Sequence, residues 1–390
     1  MSGISTNGDR LPQLCSELAK VQHPIEASAT LPPQCYTDQE LFDIERKAIF
    51  HTSWIGIGRA DRWKEAGDYS ALNVAGVPVI ILRDKSGGLR ALANTCRHRG
   101  ALLLEGDGNC RGIKCPFHGW AYTLEGRLVG APRMERTANF DQSEFNLVTF
   151  RIDTQDGFAF VSLDPDGPPL SEWLGDFSTL HTPWTMDELV STRRREFEVK
   201  CNWKSFVEVF NEYYHLPYVH PDSIDSVYAL PDDPDKVTGA YASQFGATEG
   251  TGGLLETQQD HALPPIKSLT GRNRQGVRYT WAFPNMTFAA GTEAMWVYEV
   301  YPLAANRTWV AMTACFPPET VADETFEQTA KFYYDRLDAA IAEDIPALES
   351  QQIGLTSPFA QQGRFSYLEP NVAEFACWYA AKLNQSLQSQ

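Results

Sequence analysis

Two pairs of unlike residues, Cys96-x-His98 and Cys115-x2-His118, stand sixteen residues apart in the stretch CRHRGALLLEGDGNCRGIKCPFHGW. Two thiolates and two imidazoles can hold one tetrahedral zinc ion, but zinc knuckles usually pair like with like, as C-x2-4-C and H-x3-5-H. Here each pair mixes a thiolate with an imidazole. That arrangement suits a [2Fe–2S] cluster in which one iron takes both cysteines and the other both histidines, each loop giving one ligand of each kind. Neutral imidazole ligands raise the reduction potential and leave ring N–H groups able to donate to a neighbour.

Around these loops the hydrophobic period is two. YSALNVAGVPVIILRDKSGGLRALAN reads as short strands about a DKSGG turn, and GWAYTLEGRLVG and GFAFVSLDPDG continue the pattern. Residues 50–165 are therefore expected to form an all-β domain, with a boundary at DPDGPP (164–169). Before it, residues 1–49 comprise a polar arm broken by Pro24, Pro32 and Pro33 and a helix. The helical spacing of Leu41, Ile44, Ala48 and Ile49 carries that helix, with Thr37 as its cap. Beyond it, 166–390 is mixed. CNWKSFVEVFNEYYH (201–215) carries a stripe of Trp203, Phe206, Val207 and Phe210, which predicts a helix. A polar stretch rich in Gly and Pro (221–275) is expected to be flexible. Three or so strands follow, in RYTWAFPNMTFAAG, AMWVYEVYPL and TWVAMTACFP, and two helices close the chain. A sheet clasping helices is the expectation, and the basic run TRRRE (192–196) reads as a solvated loop.

Composition narrows the function. At 390 residues the chain suits two domains rather than one core. A formal charge of −17 argues against a nucleic-acid partner. No stretch is long and apolar enough for a membrane span. The first residues lack the basic and apolar segments of an export signal, and eight scattered cysteines do not resemble a disulfide framework. A cytoplasmic protein with reduced thiols is expected. GRADRW and RDKSGG lack the G-x-G-x-x-G spacing of a dinucleotide site, so electrons must come from another protein.

CRHRG and CPFHGW resemble the two loops of Rieske clusters. Ala101 and Phe117 stand where respiratory-chain Rieske proteins carry an extra disulfide, so the likeness is to the ferredoxin and oxygenase branch, which packs an indole where Trp120 stands. A Rieske ferredoxin would end near residue 165, yet the chain continues. NEYYHLPYVHP places Glu212 three residues before His215 and five more residues before His220. Histidines five apart lie on different faces of a regular helix, so Pro217 is expected to end the helix after His215 and let His220 swing back. Two imidazoles need one carboxylate to make a facial set with open positions on iron. EDIPALESQQIGL offers Glu343, Asp344 and Glu349.

From about residue 40 onward the chain is similar to the α subunit of Rieske non-haem iron oxygenases, also called ring-hydroxylating oxygenases. The resemblance implies an α+β protein: an N-terminal all-β Rieske [2Fe–2S] domain and a C-terminal helix-grip, START-like catalytic domain on an antiparallel sheet. It implies Cys96, His98, Cys115 and His118 as cluster ligands, and His215, His220 and Asp344 as ligands of one mononuclear Fe(II), with Glu343 and Glu349 behind them or at the surface. It gives Glu212 the task of bonding His215 and reaching a cluster histidine of a neighbouring subunit, which requires a ring, expected as a homotrimer; whether a β subunit joins it stays open. It implies O2 as oxidant and NAD(P)H electrons through a flavin and iron–sulfur reductase, with or without a ferredoxin. Glu212, where most of the family has Asp, resembles the branch that oxidises choline, glycine betaine and carnitine. Val209 replaces a common Asn, which is expected to make the pocket drier. The alternation that puts Tyr279, Trp281 and Phe283 on one face, and Trp296 with Tyr298, offers Trp281, Phe283, Trp296 and Tyr298 beside Val209 as a cage for a methylated ammonium group, attracted to ring faces. N-demethylation of a betaine-type compound is the expected reaction; hydroxylation or O-demethylation of an aromatic acid is the alternative.

Overall fold

The computed structural model describes residues 7–388. Its first sheet has seven strands: β1 (Trp54–Arg59), β2 (Asp68–Val74), β3 (Val77–Arg83), β4 (Leu89–Ala93), β5 (Asp107–Asn109), β9 (Thr149–Gln155) and β10 (Phe158–Ser162). They pair antiparallel in the order β1-β10-β9-β4-β3-β2-β5. A smaller sheet is formed by β6 (Ile113–Lys114), β7 (Ala121–Tyr122) and β8 (Leu128–Gly130); Cys96 and His98 lie between β4 and β5, and Cys115 and His118 between β6 and β7. The second sheet, in the order β11-β16-β15-β14-β13-β12, is formed by β11 (Val190–Val199), β12 (Tyr241–Ala247), β13 (Gly276–Ala282), β14 (Met286–Ala290), β15 (Met295–Ala304) and β16 (Arg307–Phe316).

The central strands β13, β14 and β15 are buried on both faces, so they are apolar nearly throughout. Alternation sorts their side chains. Trp281, Ala289, Trp296 and Tyr298 face the helices, in one core with Phe206 and Phe375. Ala282, Met286, Phe288 and Val297 face the other way, onto Trp54, Phe158 and Phe160 of the first sheet and the 170–189 segment. At that junction Gly56 N–H donates to Asn285 Oδ1 at 3.0 Å and Asn285 Nδ2 returns a bond to Gly56 O at 2.9 Å. A Cβ on Gly56 would stand 2.5 Å from Met286, so only glycine permits this approach of the two sheets.

Three expectations need correction. Asp38, not Thr37, caps the Gln39–Glu45 helix by accepting from Leu41 N–H, because its carboxylate reaches the first free amides while the Thr37 hydroxyl turns back to Pro33 O. TRRRE is part of edge strand β11, not a loop. Its arginines alternate, Arg193 and Arg195 reaching Asp338 on one face and Arg194 reaching buried Glu299 on the other. The 221–275 region is no plain flexible loop either: it contains strand β12 and buries Ile224, Val227 and Leu254.

The arm packs against the second domain, with Leu14, Leu18, Val21 and Leu31 buried in its core. The Gln39–Glu45 helix is pinned there by charge. Glu45 Oε2 accepts from Lys204 Nζ and from Tyr379 OH, each at 2.5 Å, and Oε1 accepts from Trp203 Nε1 at 2.6 Å. Neither Glu45 nor Lys204 is exposed to solvent. Removing one charge leaves the other buried and uncompensated. Glu45→Gln is therefore expected to cost about 3–5 kcal/mol in denaturant unfolding, and a loss below about 1 kcal/mol would show that the pair carries no such weight.

Candidate active site

The Trp203–Phe210 helix is capped by the Asn202 side chain, which accepts from Lys204 N–H at 3.1 Å. It ends at Phe210, five residues earlier than the proline predicts. Asn211 leaves helical geometry, turns its amide back to Val207 O at 2.7 Å, and is held by Thr287 of β14. Pro217 instead lies in the first turn of a new short helix, Leu216–Val219, where its missing N–H costs nothing. His215 and His220 are the two cap residues of that turn. They stand five apart yet face one point, with ring centroids 5.0 Å apart.

The third member comes from the Phe326–Leu355 helix. Asp344 Oδ1 lies 3.1 Å from His220 Nε2 and 3.7 Å from His215 Nε2, and one ligand atom from each of the three residues falls within 4.8 Å of the others. Each ring is fixed from behind. His215 Nδ1 meets Glu212 Oε1 at 2.6 Å, and His220 Nδ1 meets Glu343 Oε2 at 2.6 Å. Glu212 Oε2 also accepts from the Tyr214 and His215 amides, and Ser223 Oγ donates to Glu343 at 2.7 Å. These carboxylates set the tautomer that leaves a lone pair free on each Nε2, on the side where Asp344 lies. Burial opposes a charged His215, but the bond to Glu212 and the charges of Glu212 and Asp344 outweigh it and raise its pKa. Asp344 Oδ1 is buried without a hydrogen-bond partner. Two acceptor nitrogens and an orphaned carboxylate oxygen converging on one point could hold a divalent iron ion. Glu343 thus stands behind a histidine, one of the two places expected for it, though His220 was not named as its partner from sequence. Glu349, half-buried, accepts from the Lys200 amide at 3.3 Å.

At the other end of the chain, Cys96 and Cys115 are buried while His118 is exposed and Phe117 is 58% exposed. The His98 and His118 rings meet edge to face at 4.6 Å, and Trp120 stacks on His98 at 5.1 Å. His98 Nδ1 is buried with no partner. Burial disfavours a Cys115 thiolate, but the backbone N–H groups of His118 and Phe117 donate to its sulfur and lower its pKa overall. The donor set fits an iron–sulfur cluster, its cysteine side buried and its histidine side at the surface.

A pocket of about 40 Å³ opens beside the His–His–Asp group, lined by Val209, Phe210, Tyr213, Tyr228, Tyr279, Tyr298 and Arg336 among others. Of the residues expected there, Val209 and Tyr298 line it. Trp281, Phe283 and Trp296 do not. Trp281 stacks on Phe375 of the C-terminal helix at 3.9 Å, and Phe283 packs on Phe375 and Trp378. Trp296 lies under the Arg336 guanidinium at 4.9 Å. A period of two identifies the face of the sheet but not which part of that face lies under which helix. Of the rings that are there, Tyr213 was legible as a neighbour of His215 and Tyr279 as a face-mate of Trp281, whereas Tyr228 had no signal.

The geometry defines a class: a one-electron carrier joined to a His–His–carboxylate iron pocket. Comparison with known proteins agrees. The family model for the ring hydroxylating alpha subunit (catalytic domain) matches residues 186–385, and that for the Rieske [2Fe–2S] domain matches residues 53–141. Choline monooxygenase from Arabidopsis thaliana is 27% identical over 368 residues, covering 91% of this chain and 83% of its own. The glycine betaine monooxygenase oxygenase subunit of Pseudomonas aeruginosa is 25% identical over 410 residues, covering 97% and 95%. The solved structure of a quaternary ammonium Rieske monooxygenase, studied for carnitine oxidation and inter-subunit electron transfer, superposes with a TM-score of 0.77 at 26% identity, covering 95% and 98%. The chain belongs to the ring-hydroxylating α-subunit family. It is a Rieske oxygenase, and membership implies a Rieske cluster and a mononuclear iron.

Behind His215 a second cavity, of about 360 Å³, is lined by Tyr36, Glu208, Glu212 and Glu369 among others. Burial raises the Glu208 carboxyl to about 7 against the bond from Tyr36 OH and the charge of Lys204, with Glu369 adding to the rise. The folded state thus holds this proton more tightly than the unfolded chain, so its contribution to stability is lost as pH rises from about 4.5 to about 7. Glu208→Gln keeps the acceptor for Tyr36 and removes the titration. Relative to wild type, the variant is expected to gain up to about 3 kcal/mol of stability between about pH 5 and about pH 8. A pH-independent gap in denaturant unfolding contradicts this.

Proposed function

We propose that this chain is the terminal oxygenase of a three-part electron pathway and that it oxidises an N-methyl carbon of a small quaternary ammonium compound. The reading rests on one observation above others: Phe210, Tyr213, Tyr228, Tyr279 and Tyr298 face the space beside His215, His220 and Asp344. Ring faces attract a methylated ammonium by about 0.5–2 kcal/mol each, without needing a hydrogen bond that such a group cannot give. Relatives of this chain are named for choline and glycine betaine.

Electrons would come from NAD(P)H through a separate flavin and iron–sulfur reductase to a cluster on Cys96, His98, Cys115 and His118. His215, His220 and Asp344 would hold the Fe(II), which supplies open positions for O2 and the oxidising power for a C–H bond. The chain's own groups do the rest. Glu212 and Glu343 keep the two imidazoles aimed, the aromatic rings fix the cation so that one methyl faces the iron end, and Val209 with the tyrosine rings keeps water away. One O2, two electrons and two protons convert the N-methyl to N-hydroxymethyl and water; the hydroxyl then loses its proton, the C–N bond breaks with its pair left on nitrogen, and formaldehyde and the demethylated amine are released. Exposed His118 and the Glu212 bond to His215 support electron transfer between subunits of a cytoplasmic homotrimer, for which light scattering should report about three chains.

The test is a single turnover. Reduced protein is mixed with O2 and each member of a panel of betaines, choline and benzoates. Faster cluster oxidation with formaldehyde release is expected for methylammonium compounds; a response to benzoates alone would replace this reading with ring hydroxylation or O-demethylation. Asp344→Ala should keep the cluster spectrum, drop from about three irons to about two per chain, and release no formaldehyde. Glu343→Gln should weaken mononuclear iron binding about 10–100-fold in chelator competition. Unchanged iron content in Asp344→Ala would remove it from the ligand set.

A further inference from the structure

The iron pocket contains a buried cation that the cage does not need. Arg336, Ala340 and Asp344 lie at i, i+4 and i+8 on the Phe326–Leu355 helix and line the same pocket. Arg336 is 3% exposed. Its Nη2 donates to Tyr228 OH at 3.1 Å, its guanidinium covers the Trp296 ring, and its Nε is buried with no partner. Among the described residues no carboxylate pairs with this charge. Asp338, on the same helix, is held by Arg193 and Arg195, and Asp344 faces the histidines. The groups around the guanidinium are the phenols of Tyr228, Tyr279 and Tyr298. A buried guanidinium without an anion is costly to keep, and its planar fork matches a carboxylate.

We propose that Arg336 receives a carboxylate of the substrate, so that the enzyme accepts betaines and discriminates against choline. The inference rests on the N-methyl reading above and narrows it. A simple cation such as choline would bring its ammonium into a pocket that already holds an uncompensated positive charge. A zwitterion answers both halves of the pocket, its ammonium on the rings and its carboxylate on Arg336. Two helical turns, about 12 Å of rise, separate the Cα atoms of Arg336 and Asp344. The anionic end and the methyl to be oxidised are thereby held apart, and the substrate enters in one orientation.

The experiment compares glycine betaine, γ-trimethylaminobutyrate, choline and benzoate by titration calorimetry and by single turnover of the iron-loaded protein. Wild type is expected to bind a betaine about 10–100-fold more tightly than choline. Arg336→Gln should lose that preference by weakening the betaine and sparing choline, and Arg336→Lys should recover part of it. Equal handling of choline and betaines by wild type overturns the inference and leaves the N-methyl reading intact, and needs no variant. An equal loss for both ligands in Arg336→Gln, not repaired by Lys, also overturns it. Benzoate binding that depends on Arg336, with no response to any methylammonium compound, would keep the carboxylate site and remove the N-methyl reading.

Discussion

Glu45 is a carboxylate with no water around it and three donors, and much of the molecule is arranged on its account. Trp203 and Lys204 bring it the start of the Trp203–Phe210 helix, and Tyr379 brings it the C-terminal helix. Desolvating such a pair is expensive, so it persists only where its partners are held in good geometry. Here that demand ties the start of one short helix to the arm and to the C-terminal helix. The same helix ends at Phe210, two residues before Glu212. A charge pair remote from the chemistry therefore decides where the first histidine can stand.

At the site itself the recurring device is a carboxylate behind an imidazole. Glu212 and Glu343 do for His215 and His220 what neither ring could do alone, since a free imidazole divides its time between tautomers and orientations. The two supports are built differently. Glu212 is local, three residues from its histidine, and also satisfies backbone amides at the start of the next turn. Glu343 is distant, carried by a long helix and steadied by Ser223. One histidine is thus set by its own turn and the other by the packing of two elements.

How much of this was legible follows from which information is local. The Cys96–Trp120 loops and the Glu212–His215–His220 run stood out by residue types at fixed spacings, whereas the residues alone left Glu343, Asp344 and Glu349 open and only the family resemblance pointed to Asp344. The two-domain α+β plan followed from a change of hydrophobic period. The wall of the pocket was not legible in the same way. Trp281 and Tyr279 share a strand and a face, yet one stacks on Phe375 and the other meets Phe210, and only the placement of helices over the sheet separates them. Arg336 was missed because a lone arginine in a helix rich in charge carries no sign of burial. TRRRE was misread for the opposite reason: a run of like charge suggests solvent, but alternation on an edge strand sends neighbours to acidic partners on two sides.

Glu343 and Asp344 are adjacent, and a helix turns them about 100° apart. One reaches the back of His220 and the other the front of both rings. The order of these two acids is therefore a matter of phase. A single residue inserted earlier in the Phe326–Leu355 helix would bring Glu343 to the front of both rings and Ala342 to the back of His220, although every side chain needed would still be present. Drift in sequence is easily borne along such a helix; drift in length is not.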